Sequence, residues 1–306
     1  MRVAIIGRTE ILYDTAHHLR ADGHEIACIL SAKEAPEYTR TLADFEALAA
    51  RWDVPFAHGA RIADHESFLR GSRADIGASI NFTGIVPQQV IDLFPLGILN
   101  AHGGDLPRYR GNACQAWAIL NGEPRIGLCI HRMIGGELDS GDIIARDYLS
   151  IDHRTKVTAA WAWMAERTPS LMTEAVNALS RNCGFVMERQ SKDSKDALRC
   201  YPRRPEDGRI DWRDDALSVL RLINASNKPY AGAFCEHQGQ RLTIWDAEIV
   251  QDGEVFCAVP GQVTAIGSGW VDVACGTAKL RLKVVQIGDR VLPSDEIIHS
   301  LRERLT

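Results

Sequence analysis

Val3-Ala4-Ile5-Ile6, four apolar residues between Arg2 and Gly7, leave little choice about how the chain begins. A run that short and that uniformly apolar fits a strand buried on both faces. Apolar residues then recur at helical spacing from Ile11 to Leu19, and Ile26 to Leu30 repeats the short run. Strand, helix and strand within roughly 30 residues make a β-α-β unit, with a helix crossing between parallel strands. The pattern continues with a helix over Leu42 to Trp52, a third strand beyond Val54-Pro55 and another over Ile76 to Phe82. Pro87 is placed to be the first residue of a helix reaching Phe94, since its missing N–H costs nothing there. Leu96 to Leu99 is one more short buried strand. The expectation is an α/β, doubly wound (Rossmann-like) domain.

Further on, Leu128 to Met133 and Asp142 to Ile151 read as strands. Thr155 to Asn182 reads as helical, with Thr168-Pro169 kinking or splitting it. Gln190 to Asp196 is polar and lysine-bearing, which fits a surface connection. After a helix over Asp214 to Ala225, the stretches Leu242 to Ile249, Gly261 to Ile266, Trp270 to Ala274 and Leu280 to Val285 alternate as strands do. Short strands with glycine-bearing turns at regular spacing point to a small barrel. The chain is therefore divided at 1–199 and 200–306.

With 306 residues, 45% hydrophobic and 25% charged, the sequence matches a globular protein large enough for two cores. A net charge of −5 gives no footprint for nucleic acid or an anionic membrane. No apolar run is long enough to span a bilayer, and Met1 to Gly7 reads as a strand rather than a secretory leader. The eight cysteines form no Cys-x-x-Cys pair and mostly sit in apolar surroundings, so free buried thiols in a reducing cytoplasm are expected. No cluster has metal-ligand spacing.

Chemistry concentrates between Ile98 and Ile144. Asn100 and His102 fall just past the strand Leu96 to Leu99, two residues apart, which puts both side chains on one face of extended backbone. The carboxyl end of a strand in an α/β sheet is where ligands usually bind. Asp139 stands in a second glycine-bearing loop, after the strand Leu128 to Met133. Amide, imidazole and carboxylate supply a donor for a carbonyl oxygen, a group that titrates near neutrality and a partner to orient it. That set suits acyl transfer to an amine. His131 is the nearest rival to His102, ranked lower because only His102 has an asparagine two residues before it. Arg108, Tyr109 and Arg110 share a loop in which the planar guanidinium forks suit an anionic acceptor such as a nucleotide diphosphate. Arg8 is placed to face a ligand across the sheet edge. The turn Gly7-Arg8-Thr9-Glu10 lacks Gly-x-Gly-x-x-Gly, which counts against a nicotinamide-dependent oxidoreductase, the reading from a different class.

The order Asn100-x-His102, then Leu106-Pro107-Arg108-Tyr109-Arg110-Gly111, then Asp139-x-Gly141 resembles the formyltransferases that use N10-formyltetrahydrofolate. The resemblance runs from Met1 to about Val285 and includes the arginine pair and Asp-Trp of Cys200 to Trp212. It implies that Asn100 donates to the formyl oxygen, that His102 adds to oxyanion stabilisation and moves protons, and that Asp139 orients and tunes His102. It places the folate pteridine beside the loop Phe82 to Pro87, with Phe82, Gly84, Ile85 and Val86, and beside Gly136 and Leu138. It also implies that the second domain is an open barrel of the oligonucleotide-binding (OB) type and that the protein is a homodimer.

Within the family the sugar N-formyltransferases are the nearest group, on Tyr109-Arg110-Gly111, Asn121-Gly122-Glu123 and Ile130-His131-Arg132-Met133. The implied reaction is formylation of a nucleotide-linked amino sugar for surface polysaccharide, with no nucleic acid, membrane or metal involved. Methionyl-tRNA formyltransferase is the alternative. That group carries a basic insertion near Ser31 to Phe45, where this chain sets Lys33 and Arg40 against Glu34, Glu37 and Asp44. Two departures from the family pattern lie beside the acceptor: Gly104-Asp105-Leu106-Pro107 in place of Ser-Leu-Leu-Pro, and Gln115 where many have proline.

Overall fold

The computed structural model describes residues 1–33, 38–82 and 84–306, so Glu34, Glu37 and Thr83 lie outside the described residues. The chain divides into two compact units. The first comprises Met1–Cys114, Ile126–Leu149 and Trp161–Cys200, and the second Gln115–Arg125, Ser150–Ala160 and Tyr201–Thr306.

In chain order the first elements are β1 (Arg2–Gly7), α1 (Glu10–Ala21), β2 (Glu25–Ser31), α2 (Leu42–Trp52), β3 (Phe56–His58), α3 (Glu66–Ser72), β4 (Ile76–Ile80), α4 (Gln88–Ile91) and β5 (Ile98–His102). Then come β6 (Arg110–Gly111), α5 (Cys114–Leu120), β7 (Arg125–Arg132), β8 (Ile143–Ser150), α6 (Val157–Arg181) and β9 (Arg199–Cys200). Seven strands form one mixed sheet in the order β3-β2-β1-β4-β5-β7-β8. From β3 to β5 neighbours are parallel, and β7 runs antiparallel to β5.

Both faces of β1 are covered, as its unbroken apolar run requires. Val3 and Ile5 pack with Leu12, Leu19, Phe45, Leu48 and Val176, from α1, α2 and α6. Ala4 and Ile6 pack with Leu69, Val90 and Phe94, from α3, α4 and the turn after it. Local signals set the helix limits. Thr9 caps α1 by accepting from the Leu12 amide, and Thr41 and Asp44 form a reciprocal capping box on α2.

Gly7 ends β1 at φ 128°, and a Cβ there would lie 2.0 Å from the Ile80 carbonyl oxygen. Backbone cannot yield as a side chain tip would, and the φ disfavours any L residue. Gly7→Ala is therefore expected to destabilise the protein by about 2–4 kcal/mol. A thermal melt should show the midpoint falling by roughly 5 °C or more.

Four details differ from the sequence reading. Strand β5 runs on through Asn100 and His102 instead of ending at Leu99. Pro87 is the cap of α4, with extended backbone, and the helix is a single turn ending at Ile91; Pro95 disfavours helical backbone at Phe94. Pro169 does not split α6, which is continuous. Hydroxyls nearby donate to carbonyls one turn back, Thr168 to Met164 and Thr173 to Pro169. Finally, Gln190 is 4% exposed and does not belong to a surface connection.

The second unit is mainly β. It contains α7 (Ala216–Ala225), β10 (Ala233–His237), β11 (Gln240–Ile249), β12 (Val263–Gly267), β13 (Trp270–Ala274), β14 (Lys279–Ile287) and β15 (Arg290–Pro293). The strands follow the order β10-β11-β14-β13-β12, with β15 also on β14. The long β14 pairs with β11 along one side, while β13 takes residues 279–282 and β15 residues 284–287. Among the described residues no pairing closes this path into a barrel. Its core joins Val219, Leu220 and Ile223 of α7 to Ile244, Val271, Leu282 and Val285 of the strands.

Candidate active site

The antiparallel register of β5 on β7 builds the floor of the site. Asn100 lies opposite His131, and His102 opposite Cys129. Directly opposed residues project to the same side of a sheet, so all four face away from Leu99, Leu128 and Ile130, which enter the core. Asp139 arrives from the loop between β7 and β8. That loop comes so close to β7 that a Cβ on Gly141 would lie 1.9 Å from the Arg132 carbonyl oxygen, which accounts for the glycine of Asp-x-Gly.

The Asp139 carboxylate stands between two imidazoles. His102 Nδ1 is 3.5 Å from Oδ2, and His131 Nε2 is 3.5 Å from Oδ1. These separations are long for hydrogen bonds but well within Coulombic reach. The Gly111 amide donates to Oδ2 at 2.9 Å. Burial by itself would raise the Asp139 pKa. The charges of His102 and His131 and the Gly111 N–H outweigh it and hold the carboxyl well below the usual carboxylate range.

Backbone carbonyls fix each ring. A carbonyl only accepts, so His102 Nε2 donates to the Tyr109 oxygen at 2.7 Å and His131 Nδ1 donates to that of Arg132 at 2.9 Å. The other nitrogen of each ring is left toward Asp139. Asn100 Nδ2 lies 3.2 Å from His131 Nε2 and donates to it, since the His131 ring proton is on Nδ1. Gly104 permits the turn of His102 toward Tyr109, because a Cβ there would stand 2.6 Å from Nε2. Cys114 Sγ donates to the same carbonyl at 2.9 Å.

Asn100, His102 and Asp139 thus come together, and His131, ranked below His102 from sequence, joins them as a full neighbour of the carboxylate. Its signal was present in the strand: Leu128 and Ile130 alternate with Cys129 and His131, which puts His131 on the face away from the core. The loop residues are distributed differently. Tyr109 is buried at φ 55°, and its carbonyl meets the site. Arg108 is exposed, its guanidinium over the Tyr109 ring. Arg110 donates to Gln190 Oε1 at 2.9 Å. Arg8 donates to the carbonyls of Asn81 and Lys33, so it laces together the loops after β1, β2 and β4.

Of the residues assigned to the folate, Ile85 is 75% exposed and Leu138 37%, and Gly84 is exposed too. Phe82 and Val86 pack into the core under that loop. Gly136 takes φ 77° and has open space where a Cβ would stand. Gln190 was missed from sequence, where Ser191, Lys192 and Asp193 made its surroundings look solvated. Its Nε2 donates to the carbonyls of Asp139 and Gly141, at 2.9 and 2.6 Å. Among the described residues no group of three or more His, Cys, Asp or Glu side chains is arranged to hold a metal ion.

Comparison with known proteins places the chain in a family. A family profile described as "Formyl transferase" matches residues 1–176, and one described as "Formyl transferase, C-terminal domain" matches residues 203–302. The chain belongs to the formyl transferase family. A methionyl-tRNA formyltransferase of Solibacter usitatus (strain Ellin6076) is 30% identical over 308 residues, covering 99% of this chain and 96% of the relative. Among solved structures, WlaRD, a sugar 3N-formyl transferase crystallised with dTDP and 5-N-formyl-THF, superposes with a TM-score of 0.68. Identity there is 15%, over 92% of this chain and 97% of WlaRD. HypX from Aquifex aeolicus in complex with tetrahydrofolic acid superposes with a TM-score of 0.62 at 18% identity, over 98% of this chain. This chain matches only 47% of the length of HypX.

Proposed function

We propose that this enzyme formylates the amino group of a nucleotide-linked amino sugar, with N10-formyltetrahydrofolate as the donor. The observation that carries the chemistry is the largely buried Asp139 carboxylate flanked by His102 and His131, with Asn100 alongside. The neutral amine attacks the formyl carbon, the carbonyl oxygen gains charge, and collapse breaks the bond to N10 of the folate. The amine loses one proton and N10 gains one. Asn100 Nδ2 supplies the donor for the oxyanion. His102 and His131 each direct one ring nitrogen toward Asp139, which gives the departing proton a path through imidazole and carboxylate. The exposed Ile85 and Leu138 supply apolar surface for the folate, and the second unit takes the OB-type barrel role of the family's longer members.

The acceptor reading rests on charge. A chain of net charge −5 offers little to a tRNA. In the segment where a basic insertion would stand, Arg40 pairs with Asp44 and lies over the Tyr13 ring. Arg108, exposed on the loop beside the site, suits a diphosphate. A second reading, formylation of methionyl-tRNA, is favoured by the full-length relative at 30% identity. Incubating N10-formyltetrahydrofolate with a panel of dTDP-, UDP- and GDP-linked amino sugars separates the two, with charged initiator tRNA in parallel. Mass spectrometry should show one sugar gaining a single formyl group. Formylation of the tRNA with no sugar modified would reverse the order.

A further inference from the structure

The turn that delivers Asp139 does not hold itself in place. Asp139 adopts φ 48°, a left-handed backbone that a non-glycine residue keeps only where its surroundings impose it. Two carbonyls of that turn, those of Asp139 and Gly141, accept from the single Nε2 of Gln190. Gln190 Oε1 accepts from Arg110 Nη2. Carbonyls only accept and a guanidinium only donates, so the Gln190 amide fits one way round. With Gln190 buried, solvent offers these groups little substitute. Arg110 also belongs to β6, and the next residue, Gly111, gives its N–H to Asp139 Oδ2. One amide, from a segment 51 residues beyond Asp139, therefore grips the turn and the strand on either side of the carboxylate.

We propose that Gln190 is a positioning residue for formyl transfer, setting where the Asp139 carboxylate stands between His102 and His131. The role rests on the N-formyltransferase reading of the site. Gln190→Ala removes every contact of the amide. Gln190→Glu keeps the length and the Arg110 pair but offers no N–H to the two carbonyls, and it decides the matter where the alanine variant does not fold. Each variant should lower kcat by up to about 100-fold with little change in KM for the acceptor, the cost of misplacing a reacting group by about 1 Å. In an Asp139→Asn background the same change should cost less than about twofold, because Gln190 acts through that carboxylate.

A readout independent of turnover is the side-chain 15N spectrum of the unligated protein, where the signals of both His102 and His131 should move in the Gln190 variants. Losses that multiply in full in the Asp139→Asn background, or histidine signals that stay in place in a folded variant, overturn the proposal. The spectrum needs no acceptor. A wild-type protein that formylates no amino sugar therefore counts against the acceptor reading, while the histidine signals still decide the role of Gln190.

Discussion

Asp139→Asn should lower kcat by about 100- to 10,000-fold, the range lost when a positioned acid–base group is removed. The substitution keeps the shape of the side chain and an oxygen for the Gly111 N–H, so what it removes is the charge between His102 and His131. KM for either substrate should change far less than kcat, because the missing interaction matters most as the amine sheds its proton. Single-turnover formylation of the acceptor identified above measures this directly, and a loss below tenfold would remove Asp139 from the chemistry. The same carboxylate has a signature in stability. Its folded pKa lies below the unfolded value of about 3.9, so the folded protein binds fewer protons in the interval between them. The stabilisation is fully present above about pH 4 and is lost as pH falls through the lower, folded value. In urea unfolding at a series of pH values, the advantage of wild type over Asp139→Asn should accordingly shrink as the medium is acidified below about pH 4.

Asn100→Ala carries the second large effect. If the Asn100 amide is the donor that meets the formyl oxygen as it becomes an oxyanion, losing it costs about 100- to 1,000-fold in kcat. Asn100→Asp is the sharper test. It preserves volume, removes the N–H donors and sets a second carboxylate near His131 and Asp139, where like charges disfavour each other. Its activity should be no higher than that of the alanine variant. An aspartate variant that keeps more than a tenth of wild-type kcat would show that the amide donates nothing to the transition state. Combined with Asp139→Asn, Asn100→Ala should cost less than the product of the two single losses, since His131 links the two groups.

How far the sequence could be read depends on the range of the interaction behind each feature. Short apolar runs and helical spacing are local, and they located β1, α1, β2 and α2 within a residue or two. Asn100, His102 and Asp139 stand out chiefly because their order resembles the formyltransferase motifs; glycine-bearing loops and strand ends only mark the place. His131 required more: its place in the site depends on which strand pairs with β5 and in what register, a relation across 31 residues that one sequence leaves open. Gln190 was harder still, since its partners lie about 50 and 80 residues away and its neighbours look like solvent. At Tyr109 the type of residue misled, because its backbone carbonyl accepts a hydrogen bond from His102 while its ring is buried. Pro169 shows the remaining limit. A local rule against helix can be overridden when one turn on each side packs against a core, as Met164 and Ala165 before Pro169 and Leu171 and Met172 after it do here.

In an open sheet of this order, nucleotides commonly lodge in the gap that opens where the winding direction changes, between β1 and β4. Here the two strands stay paired to their ends: Gly7 lies against Ile80, and the Arg8 amide donates to the Ile80 carbonyl at 3.1 Å. With Glu10 leading α1, an incoming diphosphate would also meet a negative charge at the usual landing place. The candidate site lies two strands further out, where β5 meets β7, the sheet changes from parallel to antiparallel, and a histidine from each direction leans over the same acid.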